Sequence, residues 1–192
     1  MGMEALREKI AACLQKDEKL LLCCAGETAK SVAAVAAECA VTAVSWEPDL
    51  RWQNLARLAI LNRTGVAVGT ADILLGLAKM GKATGVPLPI RDVFLVGPSC
   101  PQWMKDSIAN SLDAEVYDFG IGQNLPDPLP SSLQQELLRW SSVLDYRAKK
   151  TEMGLSLELV VFPGKQLPQL PSGAKVTVRP WVPASDKPFS VI

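Results

Sequence analysis

The chain has 192 residues, 48% apolar and 21% charged, enough for one sizeable hydrophobic core or a core with a small appendage. Twenty basic and twenty acidic residues cancel to zero net charge with no long like-charge run, so nothing supports a nucleic-acid or polyanion surface. Histidine is absent, which removes the commonest general base, the commonest metal ligand and every Ser-His or Cys-His nucleophile pair.

Residues 4–15 place Leu6, Ile10, Cys13 and Leu14 at helical spacing. The amino-terminal segment mixes acidic and basic residues and lacks the apolar core and cleavage site of a signal peptide. Residues 19–25 (KLLLCCA) are a short continuous apolar run, the mark of a strand buried on both faces. Gly26 turns the chain into an alanine-rich helix over 27–39, and 41–46 reads as a strand. The longest mostly apolar run, 32–46, is broken by Glu38 and is too short to cross a membrane. Pro48-Asp49 starts a helix with Leu50, Leu55, Leu58, Ala59 and Leu61 on its apolar face. Residues 65–69 (GVAVG) are the third strand. Thr70 is placed to cap a helix over 71–82, which Gly85, Pro87 and Pro89 end. A strand at 93–96, a helix at 102–112 and a strand at 114–119 follow.

Strands and helices thus alternate with a period of roughly 20 to 27 residues, which predicts an α/β domain over 1–124: an open, mainly parallel sheet with helices on both faces. An alanine-rich helical bundle is the competing reading; the β-branched runs bounded by glycine and proline favour the sheet. Residues 125–130 begin a proline-rich linker (LPDPLPSS), and 131–192 read as a small α+β lobe. In it, Ser131 or Ser132 is placed to cap a helix over 133–140, and 143–149, 155–162 and 175–181 alternate apolar and polar residues. Leu155, Leu157, Leu159 and Val161 share one face of a half-buried strand. Pro163-Gly164 and Pro171-Ser172-Gly173 are turns.

Cys13, Cys23, Cys24, Cys39 and Cys100 are odd in number and show no metal-ligand spacing, consistent with a reduced, cytoplasmic compartment. Cys100 precedes a helix start, where the expected shift of its pKa is downward. Arg147, Lys149 and Lys150 form the most basic spot, either a solvated strand face or a contact for a phosphate-bearing ligand. The segment of most interest is 91–124. There, one strand ends in Gly97-Pro98-Ser99-Cys100-Pro101 and the next in Gly120-Ile121-Gly122-Gln123-Asn124. Strand ends with small, turn-forming residues are where an open α/β sheet places its ligand.

Three stretches carry a family resemblance: Thr64-Gly65-Val66-Ala67-Val68-Gly69-Thr70-Ala71-Asp72, then Val93-Phe94-Leu95-Val96-Gly97-Pro98-Ser99-Cys100, then Val116-Tyr117-Asp118-Phe119-Gly120-Ile121-Gly122-Gln123. In order and spacing over 18–124, the chain resembles the adenylate-forming superfamily, the AMP-binding acyl- and aryl-CoA ligases, phenylacetate-CoA ligases among them. Its tail is similar to their small carboxyl-terminal lobe. The resemblance implies that Gly97, Pro98 and Ser99 face the adenine and acyl group. It implies that Phe119 takes the position of an adenine-stacking tyrosine, followed by Gly120, with Gly122 where a phosphate-holding threonine stands and Gln123 where a magnesium-ligating glutamate stands. Phenylalanine keeps a stacking face, glycine loses the hydroxyl, and glutamine loses the charge that attracts a hard cation. The family's phosphate loop has no counterpart before residue 18 and its ribose-gripping aspartate none after Gln123. Lys187 lies where a catalytic lysine reaches the acyl carboxylate, though an exposed tail lysine fits the same position.

What the resemblance implies is a shortened, degenerate relative, a pseudoenzyme. It would bind an acyl, adenylate or CoA-type ligand, with AMP, ATP or CoA as its cofactors, and its ATP-dependent ligation would be impaired or absent. If active, it would be an AMP-forming acid-CoA ligase, adenylating and then forming the thioester, without a metal-binding glutamate. Two other readings stand beside it. One is an accessory subunit with a protein partner or a homodimer, marked by exposure of Trp103, Trp140 or Trp181. The other is an unrelated small-molecule enzyme using Asp72, Asp118 or Ser99; no GxGxxG follows the first strand, which excludes the common dinucleotide fingerprint. No nucleic-acid or membrane partner is expected.

Overall fold

In a computed structural model, residues 2–24, 26–39, 43–45, 52–98, 100–120, 129–164, 166–167, 169–170 and 172–180 are described. The chain falls into two compact units, Met1–Leu125 and Pro126–Ile192.

The first unit runs α1 (Met3–Cys13), β1 (Leu20–Cys23), α2 (Gly26–Glu38), β2 (Ala43–Ser45), α3 (Trp52–Asn62), β3 (Val66–Gly69), α4 (Ala71–Thr84), β4 (Asp92–Leu95), α5 (Gln102–Leu112) and β5 (Glu115–Asp118). Its strands form one five-stranded sheet, ordered β2-β1-β3-β4-β5, with every neighbouring pair parallel. The apolar runs explain this order. LLLC in β1 and VAVG in β3 are buried at every position, as central strands covered on both faces must be. EVYD in β5, at the sheet's end, is exposed at Glu115 and half-buried beyond it.

Alternation along the strands divides the core. Leu20, Leu22, Val66, Val68, Phe94 and Val96 join Leu6 and Ile10 of α1 and Val32, Val35 and Ala36 of α2 in one cluster. Leu21, Cys23, Ala67, Val93 and Leu95 are equally buried and point the other way. There α4 packs between α3 and α5. Right-handed crossovers from this strand order put α2 on one face and α3, α4 and α5 on the other. Each fully buried leucine contributes about 2 kcal/mol by removal from water. Among the described residues, no helix is long and apolar enough to cross a membrane.

Helix ends bear out one expectation and correct another. Thr70 is the N-cap residue of α4, yet its side chain makes no cap hydrogen bond; its backbone carbonyl takes the Leu74 N–H at 3.0 Å. In the second unit, α6 (Ser131–Arg139) is capped by Pro130 rather than a serine. Proline's φ of −57° is preset for a helix entry, and its carbonyl accepts the N–H groups of Leu133 and Gln134 at 3.0 Å each. Strands β6 (Val143–Thr151) and β7 (Gly154–Val161) pair antiparallel, and β8 (Lys175–Pro180) joins β7 in parallel. Leu157, Leu159 and Val161 are buried with Leu137 and Val143, and Leu155 packs at the rim of the cluster. Arg147, Lys149 and Lys150 are exposed on β6, as a solvated strand face requires. Trp181 and Lys187 lie outside the described residues.

Candidate ligand site at the carboxyl ends of the strands

Because all five strands are parallel, their carboxyl ends share one edge. The chain reverses its direction of travel between β1 and β3, the topological switch point at which crossovers change face. The ladder is extended past the strand ends on that edge. Thr70 N–H donates to the Cys23 carbonyl at 3.0 Å, Val96 N–H to Gly69 at 2.9 Å and Phe119 N–H to Leu95 at 3.0 Å. At Gly69 the strands come so close that a Cβ would stand 2.2 Å from the Cys23 carbonyl oxygen, so only glycine fits.

Two turns follow on this edge. Gly97 is buried with φ of +105°, and a Cβ there would stand 3.4 Å from Thr70 Cγ2; Pro98 beside it is exposed. Gly120, with φ of +56°, is exposed, and its N–H donates to Asp118 Oδ1 at 3.2 Å. The other Asp118 oxygen accepts Lys105 Nζ from α5 at 3.0 Å, the two side chains being 19% and 25% exposed. That hydrogen bond is the first cause raising the Lys105 pKa, so the ammonium stays charged at neutral pH. Phe119 lies in the core, 8% exposed, its ring tilted against Phe94 at 5.9 Å. Ser99, Gly122 and Gln123 lie outside the described residues, and Asp72 is exposed in the first turn of α4.

The expectation for Cys100 is overturned. The thiol is buried, and burial, with the Asp118 charge second, pushes its pKa up to about 11. Its position before α5 does not offset the loss of water around a developing thiolate. Trp103 and Trp140 are half-buried, and Trp140 packs against the core of the second unit. Sequence points to Asp118 at a strand end, but its partner Lys105, thirteen residues earlier, carries no sequence signal of its own.

On the opposite edge, Glu18 and Arg91 form a two-pronged ion pair, Nη1 to Oε1 at 2.6 Å and Nη2 to Oε2 at 2.8 Å. The N–H groups of Gly65 and Gln15 each donate to Glu18 at 2.9 Å, and Arg91 Nη2 also donates to the Cys13 carbonyl at 2.6 Å. Burial would push the Glu18 carboxyl up, but the hydrogen bonds from Arg91, Gln15 and Gly65 outweigh it and hold the group below its ordinary 4.5. A pocket of about 510 Å³ also lies away from the strand ends, between the carboxyl ends of α4 and α5 and the Val86-Pro87-Leu88-Pro89 loop.

The strand-end edge suits a ligand held by backbone and glycine turns. Each Asp118 oxygen already accepts one hydrogen bond. No three His, Cys, Asp or Glu side chains among the described residues come together as a metal site.

No protein-family model matches the chain, and no curated protein matches its sequence. Similar folds are found among solved structures. A 2-hydroxyisobutyryl-CoA ligase in its postadenylation state, in complex with R3-HIB-AMP, has a TM-score of 0.53 at 12% identity over 97% of this chain and 67% of its own. An open conformation of that ligase with 2-HIB-AMP and CoA gives 0.48 at 17% identity over 60% of this chain, and IdnL1 gives 0.46 at 17% over 66%. The chain spans 30% and 29% of the length of these last two. The acyl-CoA ligase likeness is one of fold.

Proposed function

We propose that the protein is a relative of the adenylate-forming acyl- and aryl-CoA ligases, nearest the phenylacetate-CoA ligase type, that binds an acyl, adenylate or CoA-type ligand with ATP-dependent ligation impaired or absent. The observation that carries this reading is the pair of left-handed glycine turns, Gly97 and Gly120, at the carboxyl ends of adjacent parallel strands. Backbone without side chains lets a flat group approach closely. The fold likeness to a ligase with an acyl-adenylate bound supports the ligand class. Impairment is supported by residue chemistry. Gly122 and Gln123 supply neither a hydroxyl nor a carboxylate, and Asp118 is committed to Lys105 and Gly120. Without charges placed against a leaving pyrophosphate, the usual main source of rate is missing.

The chain's own residues then hold rather than transform. The Gly97-Pro98 turn lies against the bound group, the Phe119 ring stays packed on Phe94 in the core, and the protonated Cys100 thiol takes no part in acyl transfer. The test is a melting-temperature panel with AMP, ATP plus magnesium, CoA, and acyl- and aryl-CoA thioesters, beside an ATP–pyrophosphate exchange assay. A ligand at 100 times its Kd adds about 2.7 kcal/mol of stability. The expected result is a shift with AMP or a CoA thioester and no exchange. Measurable exchange would overturn the impairment, and no shift with any ligand would overturn the binding. One observation favours a second reading, an accessory subunit: Ile60 and Leu61 of α3 are 42% and 63% exposed, side by side.

A further inference from the structure

We infer that Asp118 is the positioning residue of the strand-end site: one carboxylate oxygen fixes the Gly120 turn, and the other moors that turn to α5 through Lys105. The inference concerns the turn itself; only its ligand consequence rests on the proposed function.

The need for such a device follows from topology. Strand β5 ends the order of the sheet, so its backbone is paired on one side only, to β4. Past the last strand residue the ladder gives one more bond, from Phe119 N–H to Leu95. Gly120 comes next, in the left-handed region, where glycine has the most alternative conformations to lose. Asp118 Oδ1 takes its N–H and selects one of them. A short side chain ending in an acceptor oxygen is required, because it must reach forward only two residues along its own backbone.

Lys105 makes the lock more than local. It stands in the first turn of α5, the helix that leaves the Gly97 turn, so the ion pair ties the element after one glycine turn to the other turn. The groups bearing on Lys105 besides Asp118 are Cys100 and Asp106. The Asp118 charge raises the Cys100 pKa, and Asp106 adds to the raising of Lys105. With both oxygens donated to, Asp118 orients backbone and does not act as a base.

The experiment compares wild type with Asp118→Ala, Asp118→Asn and Lys105→Met by two readouts. One is the hydrogen-exchange rate of the Gly120 backbone amide. The other is affinity for AMP and for CoA. The wild-type amide is expected to be protected, to lose that protection in Asp118→Ala, and to keep most of it in Asp118→Asn. Affinity for whichever probe binds should fall about tenfold in Asp118→Ala and return to within about threefold in Asp118→Asn, whose amide oxygen still accepts the Gly120 N–H. Lys105→Met should lie between them. A Gly120 amide that exchanges equally fast in wild type and Asp118→Ala, or full probe affinity in Asp118→Ala, overturns the inference. If wild type binds neither probe, the ligand reading of the site fails, and the amide result alone decides the role of Asp118.

Discussion

At the amino-terminal edge of the parallel sheet the Glu18 carboxylate receives four hydrogen bonds, from Arg91 twice and from the Gln15 and Gly65 N–H groups. At the carboxyl edge Asp118 receives two, from Lys105 and Gly120. The first side chain is 8% exposed, the second 19%. One edge holds α1, β1, β3 and β4 in register. The other keeps a lighter pair beside two glycine turns, Gly97 buried and Gly120 exposed. The difference teaches that the same strands are tied more densely at one end than at the other.

Substitutions can break this contrast. The largest effect is expected at Gly69, where β1 and β3 pinch together: Gly69→Ala should cost about 3 kcal/mol, because strand backbone rather than a flexible side chain must give way. Urea unfolding reads it. Next comes Glu18→Ala, which leaves the guanidinium and two N–H groups without their acceptor and should cost about 2 kcal/mol. Gly65→Ala should act on the same clamp, since a Cβ there would stand 1.9 Å from Arg91 Nη1.

The clamp also predicts a pH dependence. The folded Glu18 pKa lies below its ordinary 4.5, so the folded state binds a proton less readily than the unfolded one. Its contribution is fully present above the unfolded value and is lost as pH falls through the folded one. Urea titrations from pH 6 to pH 3 should show wild type and Glu18→Gln converging at the acid end; curves that stay parallel would remove the clamp from the account. At the other edge the effects are smaller. Lys105→Met should cost about 0.5 kcal/mol, the ordinary value of a partly exposed pair. Cys100, with its thiol pushed up to about 11, should be labelled by a disulfide reagent at pH 8 more slowly than the half-buried Cys39, as peptide mapping would show.

The carboxyl edge was largely legible before the structure, and the amino edge was not. Apolar runs such as LLLC and VAVG declare a central strand by themselves, and Gly97 and Gly120 declare their turns, because these signals are local. Glu18 and Arg91 are 73 residues apart, and no local pattern pairs them. Cys100 failed for a related reason. Its neighbours in sequence suggest a helix start, whereas its neighbours in space remove the water that a thiolate needs. The parallel docking of β8 onto β7 is a choice of partner, which alternation within one strand does not encode.

The strand order β2-β1-β3-β4-β5 also bears on how the protein is made. As synthesis proceeds, β2 adds to one free side of β1, β3 to the other, and β4 and β5 each to the side just created. No strand has to wedge itself between two that are already paired. The sheet can therefore be laid down as the chain emerges from the ribosome, at about 5 to 20 residues per second. Arg91, arriving one residue ahead of β4, can reach Glu18 once β1, β2 and β3 have been made, so the clamp can close before β4 and β5 are added.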